Sequence, residues 1–126
     1  MPQPIVHYEI AANDLGKVKK FYEDFLGWQI TSFGPQMGDY HGIEGKQGAE
    51  FGINGGMMKR MDGDTLPGFR LYANVDSADN YAAKAKSLGA TTIMEPMTVD
   101  GAGIRIALFL DPEGNPVGVV ETLAQR

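Results

Sequence analysis

Residues 14–27, DLGKVKKFYEDFLG, and residues 76–89, DSADNYAAKAKSLG, decide how this chain is read. In the first stretch Leu15, Val18, Phe21, Tyr22, Phe25 and Leu26 recur at i, i+3 and i+4, the spacing of one helical stripe. Asp14 stands where an N-cap belongs, and Gly27 where a helix ends in the left-handed conformation that lacks a Cβ penalty. The second stretch repeats the design. Asp76 or Ser77 caps it, and Leu88-Gly89 closes it as Leu26-Gly27 closes the first. From aspartate to glycine each covers the same length of chain.

Working outward, each helix is framed by strand patterns. Pro4 to Ala11 precedes the first, with Ile5, Val6, Tyr8 and Ile10 supplying β-branched and aromatic character. Trp28 to Phe33, Tyr40 to Ile43 and Ala49 to Asn54 follow it. Gly55 to Gly68 reads as a connecting loop, broken at Asp62-Gly63-Asp64 and Pro67-Gly68. Phe69 to Val75 then opens the second half. Thr91 to Glu95, Ile104 to Leu110 and Val117 to Thr122 complete it, with Asp111-Pro112-Glu113-Gly114-Asn115 as a tight turn. The order is βαβββ twice. The expected fold is α+β, a single domain over residues 1–126, with modules at about 4–60 and 67–126. Neither half can cover both faces of a four-stranded sheet alone. Two must combine, within one chain or across two, and a homodimer is expected.

Composition narrows the partners. The 126 residues are 43% hydrophobic and 21% charged, which suits a packed core. Eleven Lys and Arg against 16 Asp and Glu give a net charge of −5, so the basic footprint of a nucleic-acid binder is missing. Cysteine is absent, which excludes disulfides, thiolate nucleophiles and Cys-based zinc sites. No apolar run is long enough to span a membrane, and MPQPIVHYEI does not read as a signal peptide. A cytoplasmic protein is expected. Glycine is the outlier: 17 of 126 residues, roughly twice the usual ~7%.

Three motifs carry a resemblance. Phe21-Tyr22-Glu23-Asp24-Phe25-Leu26-Gly27-Trp28 resembles the helix-to-strand corner of the vicinal oxygen chelate superfamily, which includes glyoxalase I, extradiol dioxygenases and bleomycin-resistance proteins. Asp111-Pro112-Glu113-Gly114-Asn115 is similar to its D-P-[DE]-G-N turn. Asn54-Gly55-Gly56-Met57-Met58 resembles a stretch of a glyoxalase-like subgroup related to lactoylglutathione lyase. The resemblance implies curled mixed sheets around an open cup. It also implies a divalent metal (Ni, Zn, Co, Mn or Fe) on four positions, two on each module. His7 matches the first of these. The second falls at Arg70, which has no lone pair to donate, and the last-strand position of the second module falls at Gly118. The remaining position is Glu50 or Gly52. Two ligand positions are thus lost, at Arg70 and Gly118, and a bound metal would have only His7 and Glu50.

The expected function is therefore to hold a small anionic or aromatic molecule in the cup without the full metal site. The alternatives are a metal-dependent glyoxalase-like lyase, isomerase or dioxygenase, and a non-catalytic structural or regulatory dimer. The candidate ligand-binding residues are His7, Glu9, Tyr40, Glu50, Arg70 and Tyr72, with His7 the candidate catalytic residue. Period-2 alternation puts Glu9 inward if His7 faces inward, and groups Arg70 with Tyr72 and Asn74. Tyr40, Tyr72 and Trp28 are expected to line an apolar wall. Glycines 52, 55, 56 and 118 are expected to leave room for the ligand or for close backbone approach. Phe21, Phe25, Leu26 and Trp28 are expected in the core or a dimer interface, His41 in a solvated loop, and Met57-Met58 beneath the linker.

Overall fold

The computed structural model describes residues 2–34, 39–45 and 52–123. The fold is α+β, and the chain divides into two compact units. The first module is His7–Phe69; the second is residues 1–6 with 70–126. Strand β1 (Ile5–Ala12) begins in the second unit and continues into the first.

In the first module β1 leads into helix α1 (Leu15–Leu26), then β2 (Ile30–Ser32), β3 (His41–Ile43) and β4 (Gly55–Lys59). The sheet order is β2-β3-β4-β1, with β4 parallel to β1 and antiparallel to β3. Asp14 caps α1 by accepting from the Lys17 amide at 3.0 Å, and Gly27 ends it at φ 70°. Ile10, Ile30, Ile43 and Met57 form the core beneath Leu15, Val18 and Tyr22 of that helix.

The second module repeats the plan with β5 (Phe69–Asn74), α2 (Ala78–Ser87), β6 (Thr91–Val99), β7 (Ile104–Leu110) and β8 (Pro116–Thr122). Its order is β5-β8-β7-β6, with β8 parallel to β5. Ser77, not Asp76, caps α2, accepting from the Asn80 amide at 3.1 Å. Val75, Ala78, Ala82, Ala107, Phe109 and Val119 make the core. The Asp111 carboxylate accepts from the Glu113 and Asn115 amides, so the DPEGN segment is an aspartate-centred turn.

Several expected boundaries move for physical reasons. The last strand of the first module is Gly55–Lys59, inside the segment expected as linker; residues 52–54 lie outside any strand. Glycine is depleted from strands, which disguised this one. Trp28–Phe33 contracts to Ile30–Ser32. Thr91–Glu95 extends to Val99 through Pro96, which is tolerated because β6 is the edge strand and its register shifts between Met94 and Met97. Met57 is a fully buried core residue rather than part of a linker cover. His41 lies in β3, half-buried, not in a solvated loop. Among the described residues, no helix is long and apolar enough to cross a membrane.

Candidate functional site

Alternation along β1 separates two faces. Tyr8 and Ile10 pack toward α1, so His7 and Glu9 project from the helix-free face of the first module. They meet Tyr40 there. The His7 Nε2 lies 2.9 Å from the Tyr40 phenol oxygen, and that hydroxyl donates to a Glu9 carboxylate oxygen at 3.1 Å. A phenol carries one hydrogen. It goes to Glu9 when the imidazole Nε2 is protonated, and to Nε2 when it is not, so the triad has two proton arrangements. Burial lowers the His7 pKa below its ordinary value; the Glu9 charge and a backbone hydrogen bond to Asn54 oppose that shift without overcoming it.

The floor under these groups is glycine. Gly56 pairs with Glu9 on one side and Gly42 on the other, leaving a strip of sheet without side chains. Two rings cover it. The tip of Tyr40 lies over Gly56, where an added Cβ would fall on the phenol oxygen. The tip of Phe33 lies over Gly42. The rings stack at 6.4 Å and 17°, and Phe33 is 48% exposed, so the pair offers an open aromatic surface.

The second module uses the same device. Arg70 and Tyr72 lie on the helix-free side of β5, and both are buried. Asn74, two residues on, is exposed. Tyr72 pairs in register with Gly118, and its ring occupies the space a Cβ there would need. On the helix side of the first module Tyr8 covers its own partner, Gly55, in the same way. Glycines 55, 56 and 118 therefore do not leave empty room, contrary to expectation. Each is filled by a tyrosine ring, the arrangement by which aromatic side chains compensate glycines in sheets. Gly52 abuts the Gly45 carbonyl, the close backbone approach that was the other expectation for these glycines.

Other expected site residues also relocate. Trp28 is not part of an apolar wall beside Tyr40 and Tyr72; it stacks on Tyr22 at 4.8 Å and 14°, on the α1 side. Phe21, Phe25 and Leu26 are not core: they are 54%, 65% and 49% exposed. Glu50 lies outside the described residues. The register shows which residue of the first module matches Gly118. Gly118 stands opposite Tyr72, two residues beyond Arg70, and Gly56 stands opposite Glu9, two residues beyond His7. By this register Gly56 stands in the first module where Gly118 stands in the second. Phe33 was absent from the sequence-level candidates; its only sequence signal was an aromatic residue flanking a glycine-rich stretch.

Tyrosine rings thus lie over both Gly56 and Gly118. Among the described residues, no group of three or more His, Asp or Glu side chains converges as a metal site.

A family model, the Glyoxalase/Bleomycin resistance protein/Dioxygenase superfamily, matches residues 4–119. No curated protein matches the sequence. Similar solved structures include a superfamily member from Vibrio splendidus 12B01, with TM-score 0.68 and 11% identity over 95% of this chain and 99% of that one. A variant of Streptomyces coelicolor methylmalonyl-CoA epimerase, bound to 2-nitronate-propionyl-CoA, has TM-score 0.66 and 17% identity over 98% and 97%. A hypothetical protein from Bacillus halodurans C-125 has TM-score 0.68 and 15% identity over 100% and 99%. At these identities the likeness is one of fold.

Proposed function

The chain belongs to the glyoxalase/bleomycin resistance protein/dioxygenase superfamily, and we propose that within it this protein binds a small planar molecule, aromatic or anionic, without a catalytic metal. The observation that carries this reading is the Phe33–Tyr40 pair on its glycine strip, with the Tyr40 hydroxyl clasped by His7 and Glu9. A flat ligand stacks on the exposed rings. Its polar edge finds a donor and an acceptor beside them. On the second module, Arg70 is the side chain suited to a carboxylate or phosphate.

The test is thermal unfolding with aromatic carboxylates, beginning with 4-hydroxybenzoate. A ligand at about 100 times its dissociation constant adds ~2.7 kcal/mol of stability. Phe33→Ala should weaken binding about tenfold, as a lost stacking partner does. No shift with any planar probe at millimolar concentration would reject the reading and favour a non-catalytic dimeric domain.

A second reading has its own support. The two proton arrangements of His7, Tyr40 and Glu9 suit an acid–base isomerase, and one structural neighbour is an epimerase. Solvent deuterium incorporation into methylmalonyl-CoA, lost in His7→Ala, would establish it. Incubation with Ni, Zn, Co, Mn or Fe and elemental analysis tests the metal. Stoichiometric binding that depends on His7 would overturn the metal-free proposal. We place the protein in the cytoplasm on the strength of its composition alone.

A further inference from the structure

Strand β7 carries apolar side chains on both faces. Ala107 and Phe109 turn toward α2 and join the core there, and Arg105 bonds Asp79 of that helix. Ile104, Ile106, Leu108 and Leu110 therefore turn to the side that carries no helix. An antiparallel sheet with a helix layer on one side alone is expected to be polar on the other. Here polarity is sorted by strand instead. Along the register, Gly118, Leu108 and Met94 continue the row of Tyr72, and Val120, Ile106 and Met97 continue the row of Asn74. Strand β5 thus brings Arg70, Tyr72 and Asn74, whereas in these rows β8, β7 and β6 bring only glycine and apolar side chains. Among the residues of the four strands, Arg70 is the only charge on this face. All of these residues belong to the second module.

We propose that this face holds an aliphatic carboxylate, its head on Arg70 and its chain lying across β8 and β7 to β6. The proposal rests on the reading of Arg70 given above and not on the aromatic pair of the first module. From β5 to β6 is three strand spacings, ~14 Å, the length of a saturated chain of about ten carbons. Met94, Ile106 and Val120 are half-buried and Met97 is 45% exposed, so such a chain has apolar surface left to cover. Arg70 is buried, and a guanidinium carries five N–H donors in a fork, enough to grip a carboxylate in addition to its bonds within the fold. A molecule with one anionic end and an apolar remainder matches the charge pattern of the face from β5 to its edge.

Isothermal titration of the full chain with hexanoate, octanoate, decanoate and dodecanoate, each below its micellar concentration, tests this. One decanoate should bind per chain. Affinity should rise about tenfold for every two methylenes buried and level off beyond about ten carbons, where the chain passes β6. Decan-1-ol, which lacks the charge, should bind about tenfold more weakly or worse. Arg70→Lys, which keeps the charge and loses the fork, should weaken decanoate about tenfold. Met94→Glu, on the edge strand, should weaken decanoate about tenfold and leave hexanoate unchanged, because the shorter chain ends before it. No binding of decanoate, affinity indifferent to chain length or to the head group, or many decanoates per chain, as on a surfactant-coated surface, would each overturn the inference. Phe33→Ala should leave decanoate unchanged; loss of binding there would place the chain on the first module and overturn the inference as well. Stabilisation by 4-hydroxybenzoate that depends on Phe33 persists if this inference fails, so the two readings fall separately.

Discussion

Gly56→Ala isolates the relation between glycine and tyrosine on which the first module's open face depends. The added methyl would fall on the Tyr40 phenol oxygen, so the ring must leave. Gly56 is not among the residues with positive φ, so the effect is steric rather than conformational. Tyr40 would lose its bonds to His7 and Glu9 and its stack on Phe33. A neutral hydrogen bond contributes about 1 kcal/mol and one to a carboxylate about 1.5. An aromatic pair adds ~0.5–1 kcal/mol. The sum is about 3 kcal/mol, offset by the ~0.5 kcal/mol that alanine recovers over glycine in a strand. The expected net loss of ~2.5 kcal/mol would lower the urea midpoint by roughly 1.2 M at a slope near 2 kcal/mol/M. The decisive measurement is the double-mutant cycle with Tyr40→Ala. In that background Gly56→Ala should be neutral or slightly stabilising, a coupling of about 3 kcal/mol. Equal cost in both backgrounds, or a loss below ~0.5 kcal/mol in the wild type, would refute the reasoning.

Other expectations follow from the same contacts. Gly118→Ala should displace Tyr72 and press on the Ala107 carbonyl, costing ~2–3 kcal/mol in urea unfolding; Tyr72→Ala should remove most of that penalty. His7 binds its proton less readily folded than unfolded, so its contribution is complete above the unfolded pKa of 6.5 and is lost as pH falls below it toward the folded value. His7→Gln should therefore flatten the decline of stability with acidification in that window, measured by unfolding at stepped pH. Ser77→Ala should cost ~1 kcal/mol through loss of the α2 cap, while Asp76→Ala should leave thermal stability nearly unchanged.

Much of the architecture was legible in local chemistry. Two helical stretches, each opened by a short polar cap and closed by a left-handed glycine, sit between strand patterns. That is enough to read two βαβββ modules, because caps and periodicity act over a few residues. That His7 and Glu9 share one face followed from alternation alone; that this face is the helix-free one came from the packing of Tyr8 and Ile10 on α1. Strand β4 was not legible, because its Gly55-Gly56 start has no strand character of its own. It becomes a strand only because Tyr8 and Tyr40, distant in sequence, supply the packing that its missing side chains cannot. The same cause hid Phe33, which matters only through a glycine nine residues away.

By itself, then, the chain's sequence determined the α+β repeat and the approximate extent of both helices, which rest on residue identity and near-neighbour spacing. Tertiary structure decided what the glycines are for. Read alone, a glycine in a sheet means missing volume. Across the β1–β4 and β5–β8 pairs that volume belongs to a tyrosine. Only the register, a property of strands brought together from far apart, says which ring fills which gap and leaves His7 and Glu9 holding the Tyr40 hydroxyl between them.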